Sequence, residues 1–134
     1  MITNRTLIAK TFIPMLALAL LLPFGNFAVA GDITQRELMQ QLDRNNPPVI
    51  IDVRRPDEFA AGHVPSAKNI PHNEMATRLH ELGDNRHEEV VVYCEGGRRA
   101  AIAQRILEQA GFTKVRHLEG DMKSWRKRHL PQEE

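Results

Sequence analysis

The chain has 134 residues and is almost balanced in charge, with 18 lysines and arginines against 17 aspartates and glutamates. Two basic residues and no acidic ones fall within the first 30 positions, so residues 31–134 hold 16 basic and 17 acidic side chains. Such a balance gives no electrostatic basis for nucleic-acid binding. The length of residues 31–134 suffices for one compact core and hardly for two.

The first 30 residues have the pattern of a cleaved signal peptide. Arg5 and Lys10 precede an apolar run at residues 12–22, and Ala28 and Ala30 supply the small side chains that signal peptidase recognises. The alternative is a membrane anchor, but a helix that crosses a bilayer needs about 20 apolar residues. We therefore predict export, cleavage after residue 30 and no membrane attachment of the mature domain, residues 31–134.

Helix and strand patterns alternate after residue 30. Thr34 and Glu37 form the sequence pattern of a capping box before an apolar stripe at residues 38–42. The continuous apolar run at 49–53 is typical of a strand that is covered on both faces. Residues 56–59 resemble a short helical turn.

The second half of the chain continues the alternation. We predict strands at residues 67–70, 89–93 and 115–118, and helices at 73–82, at 100–110 and from Gly120-Asp121 onward. Strands that alternate with helices at this spacing indicate an α/β sandwich whose central sheet is mainly parallel and flanked by helices.

Cys94 is the only cysteine, so no internal disulfide can form. It follows a predicted strand and precedes Gly96, Gly97, Arg98, Arg99 and then a helix. Glycines that turn backbone N–H groups inward, the positive end of a helix and two arginines all favour a thiolate. A buried structural cysteine beside an ordinary turn is the alternative, but the combination favours a nucleophile.

The spacing of this loop distinguishes between two kinds of chemistry. Cysteine-dependent phosphatases use a Cys-x5-Arg loop of seven residues that wraps a phosphate. Here Arg99 stands five positions after Cys94, and Ala100 occupies the sixth position. The loop is therefore one residue shorter than a phosphate cradle.

The six-residue loop at residues 94–99 resembles the active loop of the rhodanese family. Two further sequence motifs typical of that family, one before and one after the loop, extend the resemblance over residues 33–130. The first motif includes Asp52-Val53-Arg54 and Gly62-His63-Val64-Pro65. The second, around the active loop, includes Val91-Val92-Tyr93-Cys94, Gly97 and Arg99, and the third includes Leu118, Gly120 and Trp125. The resemblance implies a rhodanese-like three-layer sandwich. It also implies a single-domain thiosulfate sulfurtransferase similar to the small exported enzymes of the Gram-negative periplasm.

The family resemblance implies that Cys94 accepts sulfane sulfur from a small donor such as thiosulfate and becomes a persulfide. A thiophilic acceptor such as cyanide, a small thiol or a protein thiol then removes the sulfur. The loop residues that would bind the donor and the persulfide are Glu95, Gly96, Gly97, Arg98 and Arg99. No cofactor or metal is expected, because the six histidines have no metal-binding spacing.

Three alternatives to the enzyme remain open at this stage. The protein could be a persulfide carrier for a protein partner, or a phosphatase or arsenate reductase on the related fold. A non-catalytic binding module on this fold is the least favoured, because the cysteine is present. Glu95 departs from the family pattern, since a carboxylate beside the sulfur disfavours its negative charge unless it points outward or pairs with an arginine.

Four further residues near the loop receive structural interpretations. Asp52 and Arg54 follow the first buried strand, and we interpret them as an ion pair that orients the loop. Asp121 replaces a glycine of the family pattern, and we expect it to cap the last helix with little effect on function. A Cys94–His117 dyad is the less favoured hypothesis for His117.

Overall fold

The computed structural model describes residues 31–134. Four parallel strands form one sheet in the spatial order β2-β1-β3-β4. Their bounds are β1 Val49–Asp52, β2 Lys68–Asn69, β3 Glu89–Tyr93 and β4 Lys114–His117. The central strands β1 and β3 pair in register from Val49 with Val90 to Asp52 with Tyr93.

Five α-helices and one 3-10 helix surround the sheet. They are α1 Gln35–Asp43, α2 Pro56–Ala60, α3 Met75–Arg78, the 3-10 helix Leu79–Leu82, α4 Arg98–Gln109 and α5 Asp121–Lys127. This architecture confirms the predicted α/β class with a parallel central sheet flanked by helices.

Alternation along the central strands divides the apolar side chains between two cores, as the two-residue period of a strand requires. On one face Val90 and Val92 of β3 pack with the buried side of α3 and α4. On the other face Val91 and Tyr93 pack with residues of α1 and α5, including the fully buried Trp125. Three layers result, with β3 in the middle and Cys94 directly at its carboxyl end.

The start of α1 only partly follows the predicted capping box. The Thr34 hydroxyl accepts the N–H of Glu37 at 3.1 Å, as expected for an N-cap. The Glu37 carboxylate instead accepts hydrogen bonds from Arg116 at 2.7 and 3.1 Å. The guanidinium offers a charged partner, which is stronger than the neutral backbone N–H of a capping box.

Several predicted elements differ in detail, including the strand predicted at residues 67–70, which is reduced to Lys68–Asn69. The predicted helix at residues 73–82 is divided into α3 and the 3-10 helix, because only Met75 and Leu82 are buried there and packing supports only short turns. The strand predicted at residues 115–118 is β4, at the edge of the sheet, so only its Val115 is buried. Helix α4 begins at Arg98 rather than at residue 100.

No helix within residues 31–134 is both long and apolar enough to cross a membrane. The predicted signal peptide, residues 1–30, lies outside the described residues and stays a prediction.

Candidate active site

Cys94 and Glu95 are fixed at the carboxyl end of β3 by three hydrogen bonds with the first residues of α5. The carbonyl oxygen of Cys94 accepts the N–H of Met122 at 2.9 Å, and the carbonyl of Glu95 accepts the N–H of Lys123 at 3.1 Å. The N–H of Cys94 donates to Asp121 Oδ1 at 2.9 Å. The first N–H groups of a helix have no partner within the helix, so those of α5 are available to hold both loop carbonyls.

Gly97 brings a backbone donor to the Cys94 sulfur. Its N–H lies 3.0 Å from Sγ. Its φ of 106° falls in the region that side-chain-bearing residues rarely adopt. A Cβ at this position would stand 3.2 Å from Asp121 Oδ2 and 3.3 Å from His117 Cε1. Both the backbone conformation and the space around it therefore require glycine.

Gly96 has no comparable constraint. Among the described residues, no heavy atom beyond its chain neighbours lies within 4 Å of a Cβ built there, and its φ is outside the left-handed region. The sequence suggested that both glycines turn N–H groups inward, but the structure assigns the left-handed conformation to Gly97 alone.

The N-terminus of α4 adds positive potential at the sulfur. Gly97 is its N-cap, and the first intrahelical bond runs from the N–H of Ala101 to the Gly97 carbonyl at 3.0 Å. The earlier N–H groups of this 12-residue helix have no helical partner and face the loop end, where a helix favours negative charge. Cys94 is only 1% exposed and lies at a cavity of about 200 Å³, lined also by Gly96, Arg98 and Arg99.

The two loop arginines have different surroundings. Arg99 donates two hydrogen bonds to Glu58 of α2, at 2.7 and 3.1 Å. Arg98 is exposed and forms no side-chain hydrogen bond or ion pair within residues 31–134. Arg98 is therefore the loop cation available to an anionic substrate, whereas much of the Arg99 charge is neutralised in place.

Glu95 is held away from the sulfur by two cations. Its carboxylate pairs with Arg126 of α5 and lies 3.8 Å from Arg54. These contacts compensate the negative charge that made Glu95 unfavourable beside a thiolate. The same three side chains, with Glu58, line a cavity of about 400 Å³ next to the loop.

Asp52 and Arg54 form a buried ion pair beneath this region. The shortest contact, between Arg54 Nη2 and Asp52 Oδ2, is 2.6 Å, and Arg54 also donates to the Gly62 carbonyl at 2.8 Å. Both side chains are almost fully buried. The pair is placed to orient Glu95 and the turn at Gly62 rather than to contact the Cys94 sulfur.

Asp121 was predicted to cap the last helix, but in the structure its carboxylate bonds to the active loop. Gly120, not Asp121, is the N-cap of α5, and Asp121 is its first residue, with a φ of 52°. The Asp121 carboxylate points back to the active loop and accepts hydrogen bonds from the N–H of Cys94 and from His117 Nε2, both at 2.9 Å. Nε2 of His117 is thus directed to Asp121 and not to the sulfur.

We expect Glu58→Gln to lower the free energy of unfolding by about 1 kcal/mol at neutral pH, because it breaks a charged pair with Arg99. The Arg99 hydrogen bonds lower the pKa of Glu58 from 4.5 to about 2. A carboxyl group with a lowered folded-state pKa stabilises the protein above its unfolded pKa and loses that contribution as the pH falls. The loss in the variant should therefore be smaller at about pH 3 than at neutral pH.

Urea denaturation at the two pH values measures this difference. Glu81→Gln is the matched control, since Glu81 pairs with Arg78 at an exposed site, where such pairs contribute less. An equal loss for Glu58→Gln at both pH values would contradict the assignment.

Residues 34–128 match the rhodanese-like domain family, and the chain therefore belongs to that family. A sulfurtransferase of Allochromatium vinosum is 31% identical over 103 residues, which cover 77% of this chain and 94% of the relative. A human single-domain sulfurtransferase, TSTD1, superposes with a TM-score of 0.65 at 27% identity, over 72% of this chain and 95% of that one.

A Bacillus subtilis protein named as a candidate sulfur carrier, YrkF, is 32% identical over 100 residues. The match covers 75% of this chain and 53% of YrkF, so this chain spans about half of that relative. The family to which the chain belongs thus includes sulfurtransferases and proteins named for sulfur carriage.

Proposed function

We propose that the protein is a thiosulfate sulfurtransferase that works through a persulfide on Cys94. The observation that carries the proposal is the position of the Cys94 sulfur, 3.0 Å from the Gly97 N–H and at the N-terminus of α4. Backbone donors and a helix dipole that are already in place stabilise negative charge on that sulfur without reorganisation.

The first half-reaction consumes the sulfur donor. The Cys94 thiolate attacks the outer sulfur of thiosulfate, a new S–S bond forms, and the original S–S bond breaks. Its electron pair leaves with sulfite. The persulfide that remains carries its negative charge on the terminal sulfur, within the small cavity lined by Arg98 and the loop backbone.

The second half-reaction regenerates the enzyme. A thiophilic acceptor such as cyanide attacks the terminal sulfur, forms thiocyanate and returns the electron pair of the S–S bond to Cys94 as a thiolate. The burial of Cys94 and the small size of the cavity favour small donors and acceptors over bulky ones. A protein thiol can also accept the sulfur if it lies on an extended segment narrow enough to enter this cavity.

A persulfide carrier is the second candidate, favoured by the match to YrkF. Phosphatase or arsenate reductase activity is disfavoured because the loop is one residue shorter than a phosphate cradle and its Arg99 is bound to Glu58. We also propose the periplasm as the site of action, on the basis of the signal-peptide pattern in residues 1–30.

Steady-state kinetics with thiosulfate and cyanide test the enzyme against the carrier. A sulfurtransferase should release thiocyanate with parallel double-reciprocal lines, because sulfite leaves before cyanide reacts. A carrier should take up one sulfur atom and turn over slowly with cyanide. Intersecting lines would contradict a covalent intermediate, and phosphate release from an aryl phosphate without sulfur transfer would favour the phosphatase.

A further inference from the structure

A buried carboxylate lies directly behind the active loop. Asp121 is 3% exposed, accepts the N–H of Cys94, and has its second oxygen 3.2 Å from where a Gly97 Cβ would stand. It therefore bonds to the backbone of the nucleophile and lies close to the residue whose N–H reaches the sulfur. A side chain that only capped α5 would bond to the N–H groups of that helix.

An isolated negative charge at this position opposes the proposed chemistry. The Cys94 thiolate and the persulfide both need negative charge on sulfur, and a nearby carboxylate disfavours a second negative charge. The hydrogen bond between Asp121 and the Cys94 N–H thus positions the loop, but the charge of Asp121 disfavours negative charge on the sulfur unless a cation compensates it.

His117 supplies that cation. Its Nε2 lies 2.9 Å from Asp121 Oδ1, and its ring packs against Gly97. The hydrogen bond to Asp121 raises the pKa of His117, despite its partial burial, and the charge of Asp32 acts in the same direction. Among the described residues, Asp121 on α5 and Asp32 on the N-terminal segment are the charged groups that act on the imidazole.

We propose that Asp121 and His117 form a positioning pair for the active loop, in which Asp121 holds the Cys94 backbone and protonated His117 cancels the charge of Asp121 toward the sulfur. This inference rests on the proposed function for its role in catalysis. Neither side chain is a nucleophile or a proton donor to the substrate, and both act through the geometry and the negative charge of Cys94.

Alkylation of Cys94 by iodoacetamide tests the pair without any sulfur donor. Cys94 is the only thiol, so the rate reports on this site alone, and it follows the thiolate fraction. We expect His117→Gln to slow alkylation at neutral pH about fivefold, because it leaves the Asp121 charge uncompensated. Asp121→Asn keeps an oxygen acceptor and suits a positive φ, so it should fold and react at least as fast as wild type.

The double variant gives the decisive result. If His117 acts by compensating Asp121, adding Asp121→Asn to His117→Gln should restore alkylation to within about twofold of the wild-type rate. A pair with only a structural role would make the double variant slower than either single variant, and that result would overturn the inference. An unchanged rate in His117→Gln would overturn it as well.

A matched control and a second readout complete the experiment. His87→Gln is the control: His87 precedes β3 and contacts Thr113, which precedes β4, at the opposite end of the parallel sheet, so the substitution should leave alkylation unchanged. Thiocyanate release should show the same order of variants as alkylation. If alkylation follows the expected order but no variant transfers sulfur, the inference about the pair stands and the proposed function fails.

Discussion

Replacing Cys94 with serine should reduce thiocyanate release from thiosulfate and cyanide to background, a loss of at least about 1,000-fold. The serine hydroxyl is close in size to the thiol but remains protonated at neutral pH and forms no persulfide. The groups around the side chain, including the Gly97 N–H and the α5 N–H groups that bond to the loop carbonyls, belong to the backbone and stay in place.

The Cys94→Ser variant should also remain folded, because the side chain is small and the loop is held by its main chain. Circular dichroism and urea denaturation check this point alongside the activity assay. Transfer above about 1% of the wild-type rate in a pure, folded variant would show that the sulfur atom passes through another group.

Gly97→Ala should reduce sulfur transfer by about 100-fold and lower the free energy of unfolding by about 2 kcal/mol. Alanine is strained at a φ of 106°, and its methyl group would press on Asp121 and His117 at 3.2 and 3.3 Å. Relief of that contact moves the Gly97 N–H away from the Cys94 sulfur. Transfer kinetics and urea denaturation measure the two losses separately.

Gly96→Ala is the matched control for this prediction. Its Cβ would meet no heavy atom within 4 Å in the described part of the chain, apart from its own neighbours. We expect its stability to change by less than about 0.5 kcal/mol and its transfer rate by less than about threefold. Equal losses in the two variants would show that the loop needs flexibility in general rather than one left-handed residue.

The fold was predictable because its main elements carry local signals. The apolar runs that became β1 and β3 identify strands buried on both faces, and such strands need helices on both sides of a parallel sheet. The order of strand, Cys94, glycine-rich turn and helix placed the nucleophile at the carboxyl end of the sheet, where ligands bind in open α/β folds. Those signals depend on neighbouring residues only.

The contacts that tune the loop were not predictable from local patterns. Glu58 binds Arg99 across 41 positions, and Arg126 binds Glu95 across 31 positions. Any of several acidic or basic residues could have made these pairs, and only the packing of α2 and α5 against the loop selects them. The sequence allowed Glu95 to pair with an arginine but did not identify which one.

Asp121 shows most clearly where sequence reasoning reached its limit. Aspartate at the start of a helix usually caps it, and nothing in the sequence from His117 to Asp121 indicates a contact between these two residues. A positive φ at Asp121 turns the carboxylate toward Cys94 instead of along α5. The unusual step from Gly120 to Asp121, where the family pattern has two glycines, was the one available signal.

The proposed function requires that Cys94 carries sulfane sulfur as a covalent persulfide. The intact mass of the protein, measured after incubation with thiosulfate and removal of the excess, tests it directly. We predict a gain of one sulfur atom in the wild type, its loss on addition of cyanide, and no gain in Cys94→Ser. An unchanged wild-type mass would contradict it, provided that a separate sample of the same protein is fully alkylated by iodoacetamide and Cys94 was therefore a free thiol.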